Sequence, residues 1–254
     1  MTQSHPENDH PEHAFSALAK SDAQLARFVN SPYTKPASPE RIAAAKAGLE
    51  KNGFKVYVVK DRGQAFETLT SLIPVGASMG FITYLKGETP WDPVKQSLLR
   101  RTIGTSPDYY LTSMAAVTED GKLAHADFSG SKVGGVAFGA ANVIVVAGSN
   151  KIVKNEFEAH KRTHEFAYEG ESARTRDVFK LPSSSVNRYE VIHKVQAFTP
   201  GRIQVVLVEE ALGFRGRIRM WMSNPRKGCE QFPTRRSTRS ARSVRSVSIR
   251  SILM

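Results

Sequence analysis

Apolar and polar positions alternate along the first third of the chain in a way that predicts helices and strands in turn. The segment "SPERIAAAKAGLEKNG" (38–53) predicts a helix, because Ser38 can cap it, Pro39 suits its first turn and Gly53 can end it. The β-branched and aromatic run "FKVYVVK" (54–60) predicts a strand. A second helix is expected to begin at Asp61 and to end before Pro74.

The same order continues towards residue 213. The pattern predicts a glycine turn at 75–80, a helix at 92–104, a strand at 108–118, a buried strand at 139–148, a helix at 155–167, an irregular stretch at 168–200 and a last buried strand at 201–213. Strands that alternate with helices favour an α/β fold, namely a mainly parallel, Rossmann-like doubly wound sheet in a single domain. Within it, "TEDGKLAHAD" is expected to form an antiparallel hairpin excursion.

The net charge of +12 is concentrated at the C-terminus. Residues 215–254 hold eleven Lys and Arg against one acid, which leaves 25 basic and 23 acidic residues for 1–214. We therefore divide the chain into a flexible segment (1–29), an α/β domain (30–214) and a basic tail (215–254) whose "RSx" repeats predict disorder. The tail is either a nucleic-acid or anionic-lipid binding segment or a non-native extension from a misread gene end.

Several classes of protein are disfavoured by composition. A single cysteine, Cys229, cannot form an internal disulfide or hold an iron–sulfur cluster alone. The longest apolar stretch, near 143–147, is too short to span a bilayer, and the N-terminus lacks the features of a secretory signal. We therefore expect a cytosolic protein with neither a metal nor a cofactor of its own.

The stretch "TEDGKLAHADFSG" (118–130) holds three carboxylates, those of Glu119, Asp120 and Asp127. They belong either to an acidic reaction centre or to a hairpin turn in which a glycine supplies a positive φ. If the stretch is catalytic, a carboxylate acts as base or nucleophile, and Lys132 is the nearest cationic partner.

Two further segments carry candidate ligand-binding groups. The turn "VGASMG" can bind an anion through its backbone N–H groups at Gly76 and the hydroxyl of Ser78, or it can be a simple turn. Asn150 and Lys151 follow a buried strand, where α/β proteins bind ligands, but they also fit a turn residue and a solvated lysine.

From Tyr110 to Lys154 the chain resembles the LUD family, the lactate-utilization domain. The resemblance lies in "LTSMAAVTEDGKLAHADFSGSKVGGVAFGAANVIVVAGSNKIVKN" and extends more weakly over roughly residues 30–214. The chain departs from the family pattern at Gly80, Ala115 and Lys132, and it has no cysteine-rich stretch after the NKI segment.

The resemblance implies a fold similar to the sugar-phosphate isomerase and CoA-transferase superfold and a role in lactate oxidation. We expect a small anionic metabolite to bind between the Gly76–Ser78 turn and the acidic stretch. The predicted catalytic residues are Glu119, Asp120, Asp127 and Lys132, and the predicted ligand-binding residues are Gly76, Ser78, Thr118, Gly121, Gly130, Asn150 and Lys151. The alternative is a non-catalytic assembly subunit whose partner, an oxidoreductase subunit, carries iron–sulfur clusters.

Overall fold

A parallel five-stranded sheet forms the centre of the molecule. The computed structural model describes residues 25, 28, 31–80, 101, 105–179 and 181–213. The strands of the main sheet are β1 (Lys55–Val59), β2 (Met79–Gly80), β3 (Tyr109–Thr112), β6 (Asn142–Gly148) and β9 (Ile203–Val208). They lie in the order β1-β9-β6-β3-β2, and every neighbouring pair is parallel. The sheet is thus the mixed α/β arrangement that the sequence predicts.

Two helices cover opposite faces of this sheet. Helix α1 (Pro39–Lys51) begins after Ser38, and Gly53, at a φ of 85°, leads out of it into β1. Helix α2 (Arg62–Leu72) is capped by Asp61, whose carboxylate accepts a hydrogen bond from the N–H of Gln64 at 2.8 Å. Successive residues of β6 face α1 and α2 in turn, namely Val143, Val145 and Ala147 towards α1 and Ile144 and Val146 towards α2. A strand buried on both faces must be continuously apolar, which explains its sequence.

A second sheet of four strands extends the first. It consists of β4 (Ala116–Thr118), β5 (Leu123–Asp127), β7 (Ile152–Val153) and β8 (Arg188–Ile192), in the order β7-β4-β5-β8. The β4–β5 pair is the predicted antiparallel hairpin. One face of this sheet packs on α1 through Val117 and Leu123, and the other packs on Ala159 through Ala116 and Ala124.

The remaining helices lie beside the second sheet. The short helix α3 (Ser131–Gly134) follows β5 and continues as a π-helical turn over Gly135–Gly139. Helix α4 (Glu156–Lys161) passes through a π-helical segment (Arg162–Ala167) into helix α5 (Tyr168–Phe179).

Two predictions of secondary structure are wrong. The expected strand 108–118 is two strands, because the chain leaves the main sheet after Thr112 and enters the second at Ala116. The stretch 168–200 is not irregular throughout, since it contains α5 and β8. Among the α5 side chains whose burial is described, the buried ones are small, namely Ser172, Ala173 and Thr175, so this part of the sequence lacks a hydrophobic stripe.

Some predictions fall outside the described residues. Of the predicted flexible segment 1–29, only Leu25 and Phe28 are described, and Leu25 is fully buried against Phe166 and Ala173. Apart from Arg101, the expected helix 92–104 is not described, and neither is the tail 215–254. Among the helices of the described ranges, none combines the length and the apolar character needed to cross a membrane.

Candidate functional site

Two neighbouring chain segments cross together from the main sheet to the second sheet. Strands β3 and β6 are paired in the first, and their continuations β4 and β7 are paired in the second. Ser113 follows β3, and Lys151 ends the short turn after β6. Lys151 Nζ donates a hydrogen bond to Ser113 Oγ at 2.7 Å, and Ser113 Oγ donates to the carbonyl of Val146 at 2.5 Å. Both side chains therefore meet at the carboxyl edge of the main sheet, where α/β folds bind ligands.

Asn150 fixes the backbone beside Lys151. Its Oδ1 accepts from the N–H of Leu212 at 3.0 Å, and its Nδ2 donates to the carbonyl of Tyr33 at 3.1 Å. The amide thereby joins the segments that follow β6 and β9 to the segment that precedes α1. These backbone contacts occupy the side chain, so Asn150 positions Lys151 within the described structure.

Lys151 is a buried cation among other cations. Its residue surface is only 9% exposed. Burial and, to a smaller extent, the positive charges of Arg162 and Lys132 together lower the pKa of its ammonium group from 10.5 to about 7. A substantial fraction of the Lys151 side chains is therefore neutral at neutral pH.

Arg162 lies on the π-helical segment and is 1% exposed. Its Nη1 donates to the carbonyl of Ala115, and the guanidinium carbon lies 5.3 Å and 5.2 Å from the ring centres of Tyr33 and Phe166. Nε and Nη2 have no hydrogen-bond partner among the described residues. Burial lowers the pKa of Arg162 to about 10, so the side chain keeps its charge at neutral pH.

Lys132 completes what we call the basic cluster, namely Lys132, Lys151 and Arg162. It lies on α3, is partly exposed, and directs Nζ to the carbonyl of Ala126 at 3.4 Å. Burial lowers the pKa of Lys132, and the carboxylates of Asp127 and Glu171 oppose that shift. Within the described ranges, none of the three cations has a carboxylate oxygen within 4 Å.

Comparison with known proteins places the chain in a family. The model of the LUD domain family matches residues 42–208, about two thirds of the chain. The chain belongs to the LUD domain family. One similar solved structure is the crystal structure of a DUF162 family protein from Deinococcus radiodurans, with 15% identity and a TM-score of 0.44, covering 68% of this chain and 99% of that one. No curated protein gives a significant match.

In this LUD domain the carboxylates of the acidic stretch serve two structural roles. Glu119 and Asp120 have partners in or beside the hairpin, and Asp127 binds the start of α3. Glu119 pairs with Arg41 at 2.6 Å. Asp120 accepts from the hydroxyl of Thr118 and lies 3.2 Å from Lys122 Nζ. Burial opposes ionisation of Asp120, but these two partners outweigh it and hold its pKa below the ordinary value. Each of these carboxylates therefore has a partner within the hairpin or on α1.

Gly121 ties the same hairpin to helix α1. Its φ is 83°, and a Cβ built there would lie 2.0 Å from the backbone carbonyl carbon of Gly48. The side chain of Asn52 also donates to the carbonyls of Asp120 and Gly121, at 3.0 and 2.8 Å. The turn is thus docked on α1 through backbone contact that only glycine permits.

Asp127 and Gly130 shape the approach to Lys132. The carboxylate of Asp127 accepts from the backbone N–H groups of Ser129, Lys132 and Val133, at 3.2, 2.7 and 3.3 Å. Gly130 has a φ of 86° and precedes α3. The Asp127 carboxylate therefore satisfies two first-turn N–H groups of the short helix that carries Lys132, which places Asp127 beside the basic cluster as a positioning group.

The turn with Gly76 and Ser78 lies at the opposite edge of the main sheet. The N–H and hydroxyl of Ser78 both donate to the carboxylate of Asp108, each at 2.8 Å. Asp108 directly precedes β3, whereas Ser113 follows it, and a four-residue strand between them is about 13 Å long. The structure does not bring Ser78 together with Ser113 and Lys151.

Sequence reasoning selected Lys132, Asn150 and Lys151 but missed Ser113 and Arg162. Ser113 stands within the quoted family segment, directly after a strand, which is a signal that could have identified it. Arg162 stands in the polar run "HKRTH", but it shares a helical face with the buried Ala159 and Phe166. That spacing of three and four residues was the available signal.

Proposed function

We propose that this LUD-domain protein binds a small anionic metabolite at the basic cluster. The observation that carries the proposal is the guanidinium of Arg162, which is buried while two of its three nitrogens have no partner among the described residues. A buried charge without hydrogen-bond partners is costly, so native proteins rarely retain one unless something else compensates it. A bound anion supplies that compensation.

Carboxylate is the anion that this geometry favours. Nε and Nη2 lie on one edge of a guanidinium group, and that edge binds the two oxygens of a carboxylate through parallel hydrogen bonds. Lys151 and Lys132 add positive charge from neighbouring elements, since the charges of both Arg162 and Lys132 lower the pKa of Lys151. The cluster therefore suits a compact ligand with a carboxylate and further polar atoms.

The link to lactate oxidation comes from the resemblance to the family, and it makes a hydroxy or oxo acid the first ligand class to test. In this proposal the ligand lies at the carboxyl edge of the main sheet, between Ser113, Lys151 and Arg162. It does not extend to the Gly76–Ser78 turn, which lies at the other edge.

The test is a thermal-shift titration of the full chain with lactate, pyruvate, a phosphosugar and a CoA derivative. A ligand that binds only the native state must raise the midpoint of unfolding as its concentration rises. We expect lactate or pyruvate to do so at millimolar concentrations. If none of the four compounds shifts the midpoint, the proposal is wrong.

Arg202 provides a matched control for Arg162. All three of its guanidinium nitrogens donate to carbonyls, those of Ala140, Val136 and Gly135, at 3.0, 3.0 and 3.5 Å. Arg162→Met should weaken anion binding at least about tenfold, since charge-assisted hydrogen bonds contribute about 1.5–3 kcal/mol. Arg202→Met should lower stability by about 1–3 kcal/mol because it leaves carbonyls without donors, yet it should keep the anion affinity. Equal loss of affinity in both variants would contradict a site at Arg162.

A further inference from the structure

The hydrogen bonds of Lys151 suit a neutral amine better than they suit an ammonium group. An ammonium group has three N–H donors to satisfy, whereas within the described residues Lys151 donates only to Ser113 Oγ. Because Ser113 Oγ gives its own proton to the carbonyl of Val146, its lone pairs face Lys151. The same hydrogen bonds therefore orient the Lys151 nitrogen while leaving its lone pair without a proton donor among the described groups.

We infer that Lys151 is a nucleophile that condenses with the carbonyl carbon of a 2-oxo acid to form an imine, while Arg162 binds the carboxylate. This inference rests on the proposed anion site and adds a reaction and a substrate class to it. A hydroxy acid lacks the 2-oxo carbonyl carbon that an amine converts to an imine, so the reactive ligand is the oxo acid and not its reduced form.

The surroundings of Lys151 favour this chemistry over simple charge recognition. Lysine becomes nucleophilic when it is desolvated or lies beside another cation, because both effects disfavour the ammonium form. Lys151 experiences both, since it is 9% exposed and interacts with Arg162 and Lys132. The accompanying fall of its pKa to about 7 supplies a free amine at neutral pH.

Lys132 is the other candidate amine, and its partners distinguish it. The carboxylates of Asp127 and Glu171 oppose the loss of its proton. No carboxylate contributes in the same way at Lys151. Lys151 differs from Lys132 in having no carboxylate among its electrostatic partners and in its hydrogen bond to Ser113, so we assign Lys151 as the reacting amine.

The condensation balances without any further reactant. The lone pair of Lys151 Nζ forms a bond to the carbonyl carbon, and the electron pair of the C=O bond moves to oxygen. The amine gives up two protons, both of which end on that oxygen, and the oxygen leaves as water when the C=N bond forms. No electron donor or acceptor is consumed.

The experiment is reductive trapping in the full-length wild-type protein. The protein is incubated with pyruvate and sodium borohydride, which reduces an imine to a stable secondary amine, and the modified lysine is located by peptide mass spectrometry. We expect one N-carboxyethyl group per chain, on Lys151, and at least tenfold less modification of the exposed Lys46 and of every other lysine. Because the peptide map uses unaltered protein, the result does not depend on whether any variant folds.

Variants then separate this inference from the proposed function. Lys151→Met should abolish trapping, whereas Lys46→Met should leave it unchanged. If pyruvate raises the unfolding midpoint through Arg162 but no adduct forms on Lys151, imine formation is overturned and anion binding stands. If none of the four compounds shifts the midpoint and pyruvate is not trapped, both fail. An adduct spread evenly over surface lysines would also overturn the assignment to Lys151.

Discussion

The hairpin that carries Glu119 and Asp120 and the basic cluster are two groups of charged side chains within the described structure, and the fold treats them in opposite ways. In the hairpin, Glu119 pairs with Arg41, and Asp120 pairs with Thr118 and Lys122. In the cluster, Lys151 and Arg162 are buried without any carboxylate within 4 Å among the described residues. The difference teaches that a density of charged residues in the sequence is a weaker guide to a site than charge left without a partner in the fold.

Arg202 and Arg162, which lie near opposite edges of the main sheet, show the same contrast between two side chains of one type. Arg202, near the amino edge, donates to three backbone carbonyls and joins β9 to the turn after α3. Arg162, near the carboxyl edge, donates to one. A guanidinium whose three nitrogens all donate to backbone carbonyls marks a structural arginine, whereas the two Arg162 nitrogens that have no described partner suit a ligand.

The largest effect is expected from breaking the hairpin's attachment to α1. Gly121→Ala should lower the free energy of unfolding by at least about 3 kcal/mol, because its Cβ would lie 2.0 Å from the Gly48 backbone and its φ is 83°. Gly76→Ala is the matched control, since Gly76 has a φ of 90° but nothing within 4 Å of the new Cβ. It should cost only about 1–2 kcal/mol.

Urea denaturation of the two variants measures this difference. If they lose equal stability, the cost at Gly121 comes from its backbone conformation alone and the docking on α1 contributes nothing. The contrast between a structural hairpin and a ligand-binding cluster would then lose its main support.

The second-largest expected effect is a dependence of the free energy of unfolding on pH, produced by Lys151. Its folded pKa of about 7 is below its ordinary value of 10.5, so between these values the unfolded chain binds a proton that the folded chain does not. Stability must therefore rise with pH from about 7 upwards, by up to a few kcal/mol. Below pH 7 both states are protonated, and this group adds no slope.

Lys151→Met should flatten that rise, and denaturation at pH 7, 8 and 9 measures it. Lys132 contributes with the same sign, so a smaller slope should remain. The range stops at pH 9 because burial raises the pKa of Tyr33 and of Tyr189, and their ionisation would oppose folding at higher pH. A slope identical in both proteins would show that the Lys151 amine is not perturbed in the fold.

Sequence patterns predicted the apolar parts of this fold better than its site. Strand β6 and helix α1 followed from a continuous apolar run and from helix-end residues, which are local signals. Helix α5 could not be found this way, because Ser172 and Thr175 are among the residues it buries. Ser113 and Lys151 converge because two strands cross together between sheets, and no local spacing encodes that crossing.

The smallest effect is expected from the carboxylate that the sequence made a candidate catalyst. Glu119→Gln removes the charge that pairs with Arg41, but the Arg41 side chain is 42% exposed and keeps its bond to the carbonyl of Ile152 at 2.8 Å. Solvent screens such pairs, so the loss of stability should stay below about 1 kcal/mol. Glu50→Gln, which breaks the exposed pair with Lys46, is the matched control.

Anion affinity, measured by the thermal-shift titration, should change less than about twofold in both variants. A tenfold loss of anion affinity in Glu119→Gln alone would instead support a role of the hairpin in the reaction centre. An ion pair that only stabilises the fold should not change the affinity of a ligand bound at Arg162.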